Sequence, residues 1–203
     1  MTTIGVLALQ GAFIEHVHAL ERLGCAAREV RLPRDLNGLD GLILPGGEST
    51  TIGKLMVQYE LDAPIRARAR AGFPIWGTCA GMILLANDIG GLHQPLIGVM
   101  EIVVERNAFG RQLDSFEADL AIPLIGAAPF RAIFIRAPLI HTVGADVEVI
   151  ARLADGRIVA ARQQNLLATS FHPELTRDDR LHRYFVDDIV ASARAADGSR
   201  TAA

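Results

Sequence analysis

Lysine is almost missing from this chain: Lys54 is the only one, so arginine supplies nearly all the basic charge. That bias, like the abundance of Ala, reads as coding composition and carries no functional information. Cysteine is scarce too. Cys25 and Cys79 are the only two, which excludes a disulfide-stapled scaffold and suits a reducing compartment. No apolar run approaches the roughly 20 residues needed to span a bilayer, and the stretch Met1–Leu9 lacks the basic and apolar regions of a signal peptide. A cytoplasmic protein is therefore expected. An excess of either charge is also lacking. With 20 basic and 23 acidic residues the net charge is −3, which speaks against a nucleic-acid or anionic-membrane surface and leaves small molecules or another protein as partners. Repeats and low-complexity linkers are absent.

What is present is a chain of 203 residues, half of them hydrophobic, long enough to bury roughly 70% of its unfolded surface around one core without a metal. Short apolar runs ending in Gly or Pro alternate with amphipathic stretches, the pattern of βα units on a largely parallel sheet. Ile4–Leu9 is expected as a strand. Ala12–Leu23 follows as a helix with Phe13, Val17, Leu20 and Leu23 on its apolar stripe and Gly24 as its stop. Further strands are expected at Glu29–Leu32, Gly41–Leu44 and Pro74–Trp76, then a buried helix at Gly81–Ala86. From Leu96 to Leu175 β-type runs dominate (98–104, 132–135, 147–153, 158–161 and 166–171), so some pairing there should be antiparallel. A helix over 180–193 closes the fold. The domain is expected to span 1–194, with 195–203 as a flexible tail.

The strongest chemical signal is Gly77-Thr78-Cys79-Ala80-Gly81. It follows a short strand, precedes an apolar helix and has the form of a nucleophile elbow with Cys as the nucleophile. The glycines allow a sharp strand-to-helix turn that pushes the thiol out at the carboxyl edge of the sheet. There the helix N-terminus favours the thiolate. A free Cys is more often a buried core residue, and Cys25, which lacks such a setting, is read that way.

A cysteine nucleophile needs a base and a group to orient it. Ser170-Phe171-His172-Pro173-Glu174 closes the last strand and offers both, because residues two apart in an extended segment point the same way. Pro45-Gly46-Gly47-Glu48-Ser49 follows a third strand end and lacks the Gly-Lys-Ser/Thr of a phosphate-binding loop. Its glycines are read as an oxyanion-hole wall at Gly47, partnered by the N–H of Ala80. A plain turn is the bland alternative. His16 and His18, two apart on a helix, face different ways, and no metal site is expected. Arg66, Arg68 and Arg70 read as a solvated helix face. From spacing alone Arg106, Arg111 and Arg136 are surface residues, although each could clamp a carboxylate.

These motifs together resemble the triad-type (class I) glutamine amidotransferases, and within them the glutaminase subunits that serve pyridoxal phosphate synthases. The resemblance runs through 5–11, 42–50, 77–82, 105–112 (Glu-Arg-Asn-Ala-Phe-Gly-Arg-Gln), 134–138 and 170–175, and so covers most of the chain. The Cys elbow and His-Pro-Glu are common to the class; the Gly-Gly-Glu-Ser-Thr and Arg-Asn-Ala-Phe-Gly-Arg-Gln blocks single out this group. The resemblance implies a single-domain three-layer α/β sandwich with a mostly parallel central sheet. It implies Cys79 as nucleophile with His172 and Glu174 completing the triad. It further implies that L-glutamine is held by Gly47, Glu48, Ser49, Arg106, Ile135 and Arg136 and that no cofactor is needed. It also implies a partner, a (β/α)8-barrel synthase that uses the ammonia with a pentose phosphate and a triose phosphate to make pyridoxal phosphate, and whose docking activates a weak glutaminase. Three rivals are weighed. An elbow-Cys protein of the DJ-1 and PfpI type usually has His after the nucleophile, where Ala80 stands here. A γ-glutamyl peptide hydrolase would need an open pocket and no partner. A silent subunit would be expected to lack Cys79 or His172.

Overall fold

Alternation along the strands explains the layering. In a computed structural model, which describes residues 1–106 and 115–201 and side chains as far as residue 196, the chain begins β1 (Thr3–Leu7), α1 (Phe13–Arg22), β2 (Ala26–Val30), β3 (Gly41–Leu44), α2 (Ser49–Gln58), α3 (Asp62–Arg70), β4 (Ile75–Thr78) and α4 (Ala80–Leu85). It continues β5 (Ala86–Asp88), β6 (Met100–Glu105), β7 (Ser115–Leu120), β8 (Phe130–Ile135), β9 (Leu139–Val143), β10 (Glu148–Arg152), β11 (Ile158–Gln163), β12 (Leu166–Thr169), α5 (Arg180–Tyr184) and, after a π-helical segment over Phe185–Val190, α6 (Ala191–Thr201). Leu7, Leu42, Leu44, Ile75, Leu166 and Ala168 face one side of the sheet, where they pack with α2, α3 and α4. Their neighbours Ile4, Val6, Ile43, Trp76 and Leu167 face the other, where they meet α1, α5, the π segment and the small sheet β7–β8. Period-two side-chain alternation thus produces two cores and a three-layer sandwich.

The main sheet has the order β2-β1-β3-β4-β12-β11-β9-β6-β5, with β10 paired to β11. Its first five strands are parallel, while β12/β11, β11/β9, β9/β6 and β10/β11 are antiparallel, as the β-rich second half of the sequence suggests. β7–β8 forms a separate antiparallel hairpin. Among the described residues no helix is long and apolar enough to cross a membrane.

Several boundaries differ from those read in the sequence. β2 starts at Ala26 and not at Glu29, because Gly24, with φ +76°, ends α1 abruptly and Ala26 at once pairs with Thr3. β12 stops at Thr169, where its pairing with β4 ends at Thr78, so residues 170 and 171 lie beyond it. The closing helix passes through a π segment that keeps Phe185, Ile189 and Val190 all buried, and it continues to Thr201. Arg66 is not simply solvated: its guanidinium donates to the carbonyls of Ile97 and Leu96, each at 2.8 Å, and anchors α3 to the loop before β6. Cys25 is a buried core residue, and residues 107–112 of the motif block, including Arg111, lie outside the described residues.

The turn that ends β4 depends on missing side chains. A β-carbon at Gly81 would run into the Leu44 carbonyl, and one at Gly77 would lie 2.7 Å from the Met82 nitrogen. The Gly81→Ala variant is expected to lose about 2–3 kcal/mol by overpacking. That is a fall of roughly 5–10 °C in Tm for a chain of this size, measurable by thermal melting; an unchanged Tm would contradict the close approach.

Candidate active site

Parallel register brings four loops to the carboxyl edge of the sheet, where open α/β sheets bind ligands. Leu44 of β3 pairs with Gly77 of β4, so Pro45-Gly46-Gly47 emerges beside the elbow. Thr78 pairs with Thr169 of β12, and the Cys79 N–H donates to the Thr169 carbonyl at 2.8 Å, so the chain carrying His172 emerges on the other side. β1 contributes Gln10, whose Oε1 accepts the Glu48 N–H at 2.8 Å. β8 joins through the His172 N–H, which donates to the Ile133 carbonyl at 2.8 Å.

Cys79 sits at the N-terminus of α4 with φ +48° and ψ −103°. This is a left-handed backbone that a side chain adopts only under strain, held here by the flanking close approaches. Its Sγ lies 3.9 Å from the Ile135 carbonyl. Glu174 reaches His172 through a single 3₁₀ turn, Pro173–Leu175, and not through the extended segment expected from the sequence. The contact is the same: His172 Nδ1 lies 2.7 Å from Glu174 Oε1, and both side chains are buried. Burial by itself would lower the His172 pKa. Hydrogen bonding to Cys79 and Glu174, together with the attraction of their charges, outweighs it and pushes the imidazole up to about 10. Nδ1–H is therefore directed at the carboxylate, and the other ring nitrogen is left for the thiol.

The pocket in front of the thiol has a volume of ≈ 380 Å³ and is lined by Cys79, His172, Gly46, Gly47, Glu48, Ser49, Ala80, Arg106, Ile135 and Arg136 among others. Each residue that the resemblance assigns to the site, and Ala80 of the oxyanion-hole reading, is thus on its wall, except Glu174, which stands behind His172. Glu48 caps α2 by accepting from the Thr50 and Thr51 N–H groups at 3.3 and 2.7 Å. Partial burial works against its charge. Those backbone donors, the Thr51 hydroxyl and Arg106 outweigh that effect and hold the carboxyl below its usual range. Arg106 is not a free surface residue: it donates to Gln94 Oε1 at 2.9 Å, to Thr50 Oγ1 at 3.3 Å and to Glu48 Oε1 at 3.2 Å. Arg136 is exposed at the rim with φ +42°. The pocket pairs a thiol–imidazole–carboxylate series with a fixed cation and anion, an arrangement suited to acyl transfer on a zwitterionic substrate.

The residues 6–191 match the family model described as "SNO glutamine amidotransferase family". The chain belongs to the SNO glutamine amidotransferase family. It is 62% identical over 187 residues to "Pyridoxal 5'-phosphate synthase subunit PdxT" of Herpetosiphon aurantiacus, a match covering 91% of this chain and 98% of that one. It is 54% identical to the protein of the same name from Pelotomaculum thermopropionicum, over 96% and 99% of the two chains. A solved structure titled "Crystal structure of glutamine amidotransferase" superposes with a TM-score of 0.87 at 54% identity, covering 93% of this chain and 98% of that chain. A more distant structure, PurLQS from Thermotoga maritima, shares the fold at a TM-score of 0.72 and 18% identity, over 92% of this chain and 98% of that chain.

Sequence reasoning missed three residues at or beside this site. Gln10 follows β1 at the same sheet edge as the other loops, and that position was its available signal. Gln94 sits in a segment without periodicity and had none. His16, dismissed as one of two scattered histidines, is fully buried on α1 and lies 3.2 Å from Thr78.

The raised His172 pKa makes stability depend on pH. The folded chain binds this proton more tightly than the unfolded one, so the contribution is present below the ordinary histidine value of about 6.5 and is lost as pH rises through about 10. Urea unfolding across this window is expected to show declining stability, with a shallower decline in Cys79→Ala. An identical slope in the two proteins would contradict the coupling.

Proposed function

We propose that this chain hydrolyses L-glutamine to L-glutamate and ammonia through Cys79, His172 and Glu174, and passes the ammonia to a pyridoxal phosphate synthase subunit. The observation that carries the reading is the strained elbow thiol facing an imidazole whose far nitrogen is 2.7 Å from a buried carboxylate, beside an arginine fixed in the same pocket. Relatives at 54–62% identity are synthase subunits by name, which favours the synthase partner over a free-standing γ-glutamyl peptide hydrolase or other partnerless elbow-Cys amidase. Residues 1–194 form the glutaminase unit in this reading. Two unpaired cysteines suit a cytoplasmic location.

The substrate α-carboxylate pairs with Arg106 and its ammonium with Glu48, while Gly47, Ser49 and the Ile135-Arg136 backbone close around the chain. The Cys79 thiolate then attacks the side-chain amide carbon. N–H groups of Gly47 and Ala80 receive the oxyanion, each such donor being worth roughly 3 kcal/mol. His172 protonates the departing amine, which leaves as ammonia, and a γ-glutamyl thioester remains on Cys79. Water deprotonated by His172 attacks the thioester and releases glutamate and the thiol. Ammonia set free in bulk water near neutral pH becomes ammonium and loses its nucleophilic lone pair, so the synthase must receive it directly. The partner implied by the family resemblance is a (β/α)8 barrel that joins the ammonia to a pentose phosphate and a triose phosphate.

Glutamate release, followed with a glutamate dehydrogenase couple, tests the reading. Addition of a synthase subunit is expected to raise turnover, and Cys79→Ala to abolish it. Arg106→Leu is expected to raise KM at least tenfold with kcat little changed, since it removes binding shared by ground and transition states. Equal turnover with and without the synthase would contradict the partnered reading, and release persisting in Cys79→Ala would contradict the nucleophile.

A further inference from the structure

A second series of polar side chains lies behind the triad and takes no part in the mechanism above. His16 on α1 and His182 on α5 are both fully buried, against Trp76. Nδ1 of His16 is 2.9 Å from Nε2 of His182. Nε2 of His16 is 3.2 Å from Thr78 Oγ1 and 3.4 Å from Glu174 Oε2. The other carboxylate oxygen, Oε1, is already engaged by His172, and Oε2 is buried and makes no hydrogen bond among the described residues. Burying a carboxylate oxygen without a donor is costly, and the His16 Nε2, at 3.4 Å, is placed to supply one.

The two possible proton arrangements are not equivalent. If Thr78 donated to a bare His16 Nε2, that lone pair would face the carboxylate, and Nδ1–H of His16 would donate to His182. The buried Nδ1 of His182, which has no partner, would then carry an unsatisfied N–H. If His16 carries its proton on Nε2, the proton is shared between Thr78 Oγ1 and Glu174 Oε2. His182 Nε2–H then satisfies His16 Nδ1, and only an unpaired lone pair remains at His182 Nδ1. The second arrangement leaves neither histidine with an N–H that lacks an acceptor.

We propose that His16 is a positioning residue: its Nε2–H holds the Glu174 carboxylate in the orientation that presents Oε1 to His172, and His182 fixes the His16 tautomer. The inference rests on the reading of Cys79, His172 and Glu174 as the working triad. The charged and titratable groups around the series are Glu174 and His172 beyond β12, His182 on α5, and, past His182, Asp179 and Arg22, which pair with each other at 2.6 Å. Burial first, then the nearby His182 and His172, lower the His16 pKa well below its ordinary value. Burial lowers that of His182 to about 4, with Asp179 opposing and Arg22 adding to the effect. His16 therefore donates as a neutral ring and places no second positive charge beside the His172 imidazolium.

The test compares wild type, His16→Leu and His16→Gln as full chains with the synthase subunit, by steady-state kinetics from mildly acidic to alkaline pH, with thermal melts alongside. Gln can place an amide N–H where Nε2 stood, and Leu cannot. His16→Leu is expected to lose roughly tenfold to a hundredfold in kcat with KM within about twofold, as for loss of a hydrogen bond to a buried charge. The acid limb of its kcat/KM profile moves to higher pH, because a buried carboxylate stripped of a donor takes up a proton more readily. His16→Gln recovers most of kcat and restores the acid limb. A wild-type profile in His16→Leu, or Gln no better than Leu in proteins that melt alike, would overturn the proposal. Should His16→Leu not fold, His16→Asn replaces it, since its shorter amide reaches only the Nδ1 position; equal kcat for Gln and Asn is then the contrary result. Wild type releasing no Cys79-dependent glutamate would instead sink the triad reading itself, and that is seen before any His16 variant is compared.

Discussion

The close approach of α4 to the carbonyl of Leu44 leaves no room for a β-carbon at Gly81, and the approach of the Gly81–Met82 peptide leaves none at Gly77. Between them Cys79 is forced to φ +48°, and the rest of the site is arranged round that turn. The strain at Cys79 is supported by packing on both sides of the sheet: Met82, Leu84 and Leu85 of α4 are fully buried on one face and Trp76 on the other. A rigid scaffold of this kind holds a nucleophile in place without contributions from the nucleophile's own side chain.

The second organising feature is electrostatic. Three histidines lie close together behind the thiol, and their surroundings separate them: His172 is pushed up to about 10, while His16 and His182 are driven down. Each carries what its place requires. The ring facing Cys79 and Glu174 is the one that takes up a second proton and becomes charged, and the two that are sealed against Trp76 stay neutral. Within the pocket Glu48 and Arg106 are opposite in sign, pair with each other and are held by Thr50, Thr51 and Gln94, so the site is ordered before any ligand arrives, which lowers the cost of binding.

How much of this was legible in the sequence follows from where the signals are local. The elbow needs glycines within two residues of Cys79, and His172 and Glu174 are two apart, so both motifs survive reading in one dimension. The parallel strands are legible for the same reason, being short apolar runs with Gly or Pro at their ends. Arg106 is different: its orientation depends on Gln94, twelve residues away, and on Glu48, fifty-eight residues away, and only the resemblance to known amidotransferases drew attention to it. His16 is further still from its partners Thr78, Glu174 and His182 in sequence. On α1 the apolar stripe of Phe13, Val17, Leu20 and Leu23 flanks it, and a polar residue centred on a buried face can be recognised only once its partners are in view. The π segment over Phe185–Val190 and the early start of β2 were hidden because they answer to packing and pairing, not to local propensity.

The account turns on one covalent event at Cys79. Mixing the chain and its synthase partner with glutamine, quenching in acid within a turnover and digesting the product would place any acyl group by mass spectrometry. A γ-glutamyl group on the peptide carrying Cys79, absent when Cys79→Ala is used, is the predicted result. Glutamate formation with no acylated peptide at any quench time, or an acyl group on a different residue, would contradict it.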